Sequence, residues 1–207
     1  MFTGLITGVA TVREVVPIGD GRDARFVIQV PENADWSGIN AVKLGASIAC
    51  SGCCLTVIER GNDFFAVEVS AESLGLTTLG GWREGTRINI EGSLKLGDEI
   101  GGHLVSGHVD GLAEVAASVP ENGSIRWQFL LPKALGRFVA PKGSIAINGV
   151  SLTVNEVQDG ANGTMFGVNI IPHTAANTSF ATLTVGERVN IEIDMLARYV
   201  ARLKEFH

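Results

Sequence analysis

The sequence predicts an all-β protein, two tandem Greek-key β-barrels related by an internal repeat and followed by a short C-terminal helix. Three observations carry that prediction. The segment Ser47-Ile-Ala-Cys-Ser-Gly-Cys-Cys-Leu-Thr-Val57 recurs 97 positions later as Ser144-Ile-Ala-Ile-Asn-Gly-Val-Ser-Leu-Thr-Val154, with seven of eleven residues identical. Each half carries short β-rich runs, and 26 glycines punctuate the chain with turns. After Asp194 the apolar residues change to helical spacing.

Two further blocks extend the repeat. Gly85-Thr-Arg-Ile-Asn-Ile-Glu91 matches Gly186-Glu-Arg-Val-Asn-Ile-Glu192 at 101 positions, the change in spacing falling in a longer loop around Asp159–Gly163. Met1 through Val12 pairs with Leu104 through Val115 at 103. The expected division is therefore a first barrel over 1–103, a second over 104–194 and a helix over 195–207, with the boundary near Gly101-Gly102-His103. Phe64–Val69 and Met165–Ile170 read as strands. Asn148-Gly149 is a strong signal for a two-residue hairpin, and Ser51-Gly52 takes its place in the first half. On the strands after these turns, alternation puts Leu55 with Val57, and Leu152 with Val154, on the core face. Cys54 with Thr56, and Ser151 with Thr153, fall on the other face. The helix has Asp194 as N-cap and Met195, Leu196, Tyr199, Val200, Leu203 and Phe206 on one stripe, with Arg198, Arg202 and Lys204 elsewhere. So short a helix is marginal alone. It is expected to pack on its own barrels or on the same helix of other subunits, and self-association is expected.

Composition narrows the function. With 207 residues, 45% of them apolar, the chain suffices for one or two globular domains. A net charge of −6, with lysines and arginines scattered singly, argues against a nucleic-acid partner. No apolar run approaches the roughly 20 residues needed to cross a bilayer, and Met1–Ala10 shows no basic leader, so a cytoplasmic protein without a membrane partner is expected. Cys50, Cys53 and Cys54 lie together, with no distant partner for a loop-closing disulfide, and read as reduced thiols. Neither they nor His103, His108, His173 and His207 show the spacing of a zinc site.

The chemistry-bearing candidates are the places where the halves differ. Cys54 stands where the second half has Ser151. His108 stands where the first half has Leu5, and Lys142 where it has Gly45. Small polar side chains on an outward strand face are ordinary solvent-face residues or the wall of a ligand groove. A histidine with a pKa near 6.5 is the natural proton carrier at neutral pH, and His108 is preferred over His103 for that role. On sequence grounds alone Lys142 reads first as a solvated residue before a strand. Gly4-Leu5-Ile6 and Gly107-His108-Val109 each place a glycine where a flat ring can approach the backbone, or where the chain simply bends.

These residues carry a resemblance that covers the whole chain. The opening MFTGLI, the pair GCCLTV and NGVSLTV, the stretch SLKLGDEIGGHLVSGHVDG and the late VNIEID are similar to the riboflavin synthase alpha-chain family with its two lumazine-binding repeats. The resemblance implies an enzyme that dismutates two molecules of 6,7-dimethyl-8-ribityllumazine to riboflavin and 5-amino-6-ribitylamino-uracil, with no metal or organic cofactor. Loss of a proton from the C7 methyl of one lumazine gives a delocalised anion that attacks the other, so the protein need only orient two substrates and move protons. The resemblance further implies a homotrimer whose active sites lie between the N-terminal barrel of one subunit and the C-terminal barrel of a neighbour.

By the same resemblance, the C-terminal surface comprises His108, Lys142, Ser151, Leu152, Thr153, Ile170, Ile171, Pro172, His173 and Thr174. The N-terminal one comprises Cys53, Cys54, Leu55, Val67, Glu68, Val69, Ser70, Ala71 and Glu72. The glycine segments at Gly4 to Ile6 and Gly107 to Val109 approach the rings. His108 and Ser151 are expected to handle protons at the C7 methyl, Cys54 to assist addition at C7 of the partner molecule, and strand amides to hold the pyrimidine edges. Two positions depart from the family pattern. Ser51 stands where an Asn or Asp commonly precedes the turn glycine, and His173 where Glu is common. The rival readings are a non-catalytic lumazine or flavin carrier, a flavin-dependent reductase and a nucleic-acid-binding barrel. The last two lack, respectively, a dinucleotide fingerprint and a basic surface.

Overall fold

The computed structural model describes residues 1–31, 39 and 42–205. The first half supplies β1 (Gly8–Ile18), β2 (Asp23–Gln29), β3 (Ser47–Cys50), β4 (Cys53–Arg60), β5 (Phe64–Val69), α1 (Ala71–Leu76) and β6 (Arg87–Gly92). The second supplies β7 (Gly111–Glu121), β8 (Ser124–Leu131), α2 (Lys133–Gly136), β9 (Ser144–Ile147), β10 (Val150–Gly160), β11 (Gly163–Ile170), α3 (Pro172–Asn177) and β12 (Arg188–Ile193), followed by α4 (Met195–Lys204). Each half closes as a six-stranded antiparallel barrel, in the order β1-β2-β5-β4-β3-β6 and its counterpart β10-β11-β8-β7-β12-β9. That order, with β3 and β6 adjacent and β2 beside β5, is the Greek key the repeat predicts.

Alternation builds the cores. Leu55 and Val57 point into the first barrel, and Val150 and Val154 into the second, while Thr56 and Thr153 are exposed. In the first core Trp82 meets the edge of Phe26, with ring centroids 5.3 Å apart. In the second, Trp127 occupies the place of Phe26 and packs on Phe129 and Phe180. Both predicted hairpins form, with Ser51, Gly52, Asn148 and Gly149 all at positive φ as a type I′ turn requires.

The segments ahead of the barrels, residues 1–7 and 104–110, are not free arms. Phe2 and Val105 pair antiparallel through reciprocal backbone bonds of 2.8 and 3.0 Å, and with Ala49 and Ala146 they form a small apolar cluster between the barrels. Past that crossing each leader lies on the opposite barrel. Ile6 packs against the second core and Val109 against the first.

The helix α4 begins at Asp194, whose side chain accepts the Leu196 amide at 2.8 Å. None of its residues is buried, and Leu196 and Leu203 are 74% and 64% exposed. The stripe expected to pack is therefore uncovered in the single chain. Phe206, predicted on the same stripe, lies outside the described residues. No helix among the described residues is long and apolar enough to cross a membrane.

Candidate active site: two half-sites with exchanged leaders

The strand pairs β4–β5 and β10–β11 part at equivalent places. The first ladder ends at Val57 opposite Val67, and the second at Val154 opposite Val168. Beyond these pairs Cys54 to Thr56 bond to β3 and Ser151 to Thr153 to β9, while Glu68 to Ser70 and Asn169 to Ile171 have no ladder partner on that side among the described residues. Each barrel thus carries a notch edged by backbone that no strand pairs with on that side. One wall is formed by outward side chains, Cys54 and Thr56 in the first and Ser151 and Thr153 in the second.

The far wall comes from the other half of the chain. The Ser151 amide donates to the Gly4 carbonyl at 2.9 Å, and the Cys54 amide to the Gly107 carbonyl at 2.8 Å. Both glycines have positive φ. A β-carbon on Gly4 would stand 2.5 Å from that of Ser151, and one on Gly107 2.6 Å from that of Cys54, so no larger residue fits either place. Two carboxylates fix the leaders. Glu91 accepts the Thr3 and Gly4 amides and the Thr3 hydroxyl, and Glu192 accepts the Ser106, Gly107 and His108 amides and the Ser106 hydroxyl. Burial raises the Glu91 carboxyl above its ordinary range, against the lowering effect of its bonds to Thr3 and Gly4.

This geometry regroups the expected residues. Gly107, His108 and Val109 belong beside Cys54, and Gly4, Leu5 and Ile6 beside Ser151, because the leaders cross before they reach the barrels. The histidine beside Ser151 is accordingly not His108 but His103, whose Nδ1 lies 2.6 Å from Ser151 Oγ. Burial lowers the His103 pKa below its ordinary value, opposed by the charges of Asp194 and Glu192. A neutral imidazole with Nδ1 unprotonated accepts the Ser151 hydroxyl and equips that oxygen to exchange protons. His108 and Leu5 occupy equivalent exposed rims of the two half-sites.

The remaining candidates divide by orientation. The side chains of Cys53, Leu55, Val67, Val69 and Ile170 are buried in the barrel cores, and Leu152 packs against the second. These positions present backbone to the notch. Glu68, Ser70, Ala71 and Glu72 are exposed at the mouth of the first notch, where Ser70 caps α1. Ile171, Pro172 and His173 are exposed at the second, with Thr174 half-buried. The Lys142 amide donates to the Val154 carbonyl at 2.8 Å, as Gly45 does to Val57, so the half-specific cation stands at the rim near Thr153. Ser51, one of the two departures from the family pattern, sits between the barrels, where its hydroxyl accepts the Asn89 amide at 3.3 Å. His173 is exposed on the first turn of α3.

Cys50 and Cys53 are buried free thiols, Cys53 pushed up to about 12 chiefly by desolvation. Cys54, half-buried and also free, is the thiol that reaches a half-site.

Asn89 and Asn190 complete the junction between the halves. Asn89 Nδ2 donates to the Asn148 carbonyl at 2.9 Å while its Oδ1 accepts the Ser179 amide. Asn190 returns the pattern to the Ser51 carbonyl and the Thr78 amide, both at 2.8 Å. The signal was present in the paired Asn-Ile-Glu of both halves. Polar residues alternating with core isoleucines belong on the outer face, and retention of the same two types in each half marks that face as covered.

Comparison with known proteins agrees with this architecture. The lumazine binding domain family matches residues 3–93 and again 106–194. The riboflavin synthase of Brucella abortus is 45% identical, covering 100% of this chain and 99% of that protein. That of Escherichia coli is 38% identical over 94% and 87%. Among solved structures, LumP complexed with riboflavin superposes with a TM-score of 0.81 at 24% identity, covering 93% of this chain and 99% of that one. Two barrels with equivalent notches, matched twice by one domain family, define a protein of two tandem lumazine binding domains. The full-length relatives place it more narrowly: the chain belongs to the riboflavin synthase family.

Proposed function

We propose that the chain forms riboflavin by dismutation of two 6,7-dimethyl-8-ribityllumazine molecules, one seated in each kind of half-site, with release of 5-amino-6-ribitylamino-uracil. The observation that carries this reading is the pairing of two like notches with unlike chemistry, a histidine-bonded hydroxyl at one and a half-buried thiol at the other. Backbone groups of Glu68–Val69 and Asn169–Ile170, on the side without a ladder partner, hold the pyrimidine edges. Ser151, backed by His103, exchanges the C7-methyl proton of one lumazine, and Cys54 assists addition at C7 of the other. Transfer of the four-carbon unit requires both rings in register, and holding two reactants in place is worth on the order of 7–11 kcal/mol of barrier in favourable cases.

The proposed assembly is a homotrimer in which α4 covers its exposed stripe with the same helix of neighbouring subunits, bringing the first barrel of one chain against the second barrel of another. Three free cysteines suit the reducing cytoplasm. Purified protein incubated with the lumazine should develop riboflavin fluorescence. Tight binding without turnover would instead make the chain a carrier.

A further inference from the structure

We propose that Asp110 and Arg198 are a positioning pair that ties the C-terminal helix to the leader over Cys54, so that the first half-site is held in shape by α4. This deepens the riboflavin-forming reading above and rests on it. Asp110 closes the second leader, directly before β7, and is pinned three times. Its amide donates to the Ile191 carbonyl at 2.8 Å, its Oδ2 accepts the Ile193 amide at 2.9 Å, and its Oδ1 meets Arg198 Nη2 at 2.8 Å. The carboxylate side chain is 10% exposed and the arginine 43%. A nearly buried carboxylate left with a single amide donor loses much of what replaces its hydration, so it is driven toward water when the cation is removed.

Movement of Asp110 has a short path to the chemistry. His108 is two residues upstream, with its amide on Glu192, and Val109 between them packs on the first core. Gly107, next again, accepts the Cys54 amide and leaves no room for a β-carbon between itself and that cysteine. The helix therefore connects through one ion pair and one three-residue stretch to the wall of the first half-site. Among the described residues the first leader has no such ion pair to a helix. Its equivalent of Asp110 is Thr7, an uncharged residue whose hydroxyl donates to the Ile90 carbonyl of its own barrel at 3.0 Å. Because α4 exposes its apolar stripe in the single chain, a second copy that covers the helix also steadies Arg198 and, through Asp110, the leader over Cys54.

Alkylation of Cys54 by iodoacetamide in the full chain, resolved for each cysteine by mass spectrometry, reads the leader without relying on turnover. Arg198→Ala should speed modification of Cys54 by about tenfold, the scale of a lost hydrogen bond to a charged group, while Cys50 and Cys53 stay unreacted. Asp110→Asn should act in the same direction, and Arg198→Lys should restore most of the protection. In steady-state assays Arg198→Ala should raise the lumazine KM more than it lowers kcat. An unchanged Cys54 rate in Arg198→Ala would overturn the proposal. So would equal acceleration at Cys50 and Cys53, which would mean general loosening. Failure of the unsubstituted protein to make riboflavin would count against the functional reading instead, since the alkylation result stands apart from it.

Discussion

Cys54 and Ser151 are the second residues of equivalent strands, β4 and β10, each following a type I′ turn and each giving its amide to a leader glycine. What surrounds them differs. Ser151 has a half-buried imidazole 2.6 Å from its hydroxyl, whereas Cys54 packs among Phe2, Ala49, Val105 and Ala146. The rims differ as well, with Leu5 beside Ser151 and His108 beside Cys54. A repeated fold therefore supplies two seats of the same shape, and side-chain differences at a few equivalent positions give the seats different jobs. Exchange of the leaders makes each seat a product of both halves, so neither barrel alone carries a finished half-site.

The largest expected effect tests the chemical difference. Ser151→Ala should lower kcat by about 10²–10⁴, the range for general acid–base catalysis, with a much smaller change in lumazine binding. His103→Ala should fall in the same range, and the double variant should be little worse than either single one, because residues acting as a unit are not additive. Additive losses would separate the two residues. The lowered His103 pKa gives this pair a pH signature. Its contribution to stability is present above pH about 6.5 and is lost as pH falls from there through the folded-state value, because the unfolded chain then binds the proton more readily. The acid limb of turnover should follow, and His103→Gln should remove it.

A smaller effect tests the shared frame. Asn190→Ala orphans the Ser51 carbonyl and the Thr78 amide, and Asn89→Ala orphans the Asn148 carbonyl and the Ser179 amide. Each should cost about 1–3 kcal/mol, read as a lowered Tm by calorimetry. The two residues serve one junction, so the double variant should lose less than the sum. Full additivity would show that the two halves of the junction act independently.

The smallest effect removes a difference between the barrels. Ser51 holds φ of 45° and accepts the Asn89 amide at 3.3 Å, where Asn148 accepts the Asn190 amide at 2.8 Å. Asparagine tolerates that backbone region better than serine. Ser51→Asn should therefore stabilise the chain by roughly 0.5–1 kcal/mol on the scale of a single hydrogen bond, detectable as a modest rise in Tm. A fall would mean that the buried turn has no room for the longer side chain.

Much of this molecule is legible in the sequence because it rests on local periodicity. Ser51-Gly52 and Asn148-Gly149 announce hairpins by backbone preference, alternation through Leu55 and Val57 assigns the inner face, and the helical stripe after Asp194 follows from spacing. Repetition doubles each signal. The sequence by itself thus determined two tandem barrels, an outward Cys54 and Ser151, and an amphipathic terminal helix.

The tertiary structure alone decided which residues meet. The repeat assigns residues 1–7 and 104–110 to their own barrels, yet the two leaders cross at Phe2 and Val105. His103 rather than His108 therefore stands at Ser151, and Gly107 stands at Cys54. Asn89 and Asn190 likewise join residues far apart along the chain. Short-range pattern fixes which face a side chain takes, because that depends on its own strand. Its partner depends on where a distant segment crosses, and that is set by packing between the barrels, which has no period in the sequence.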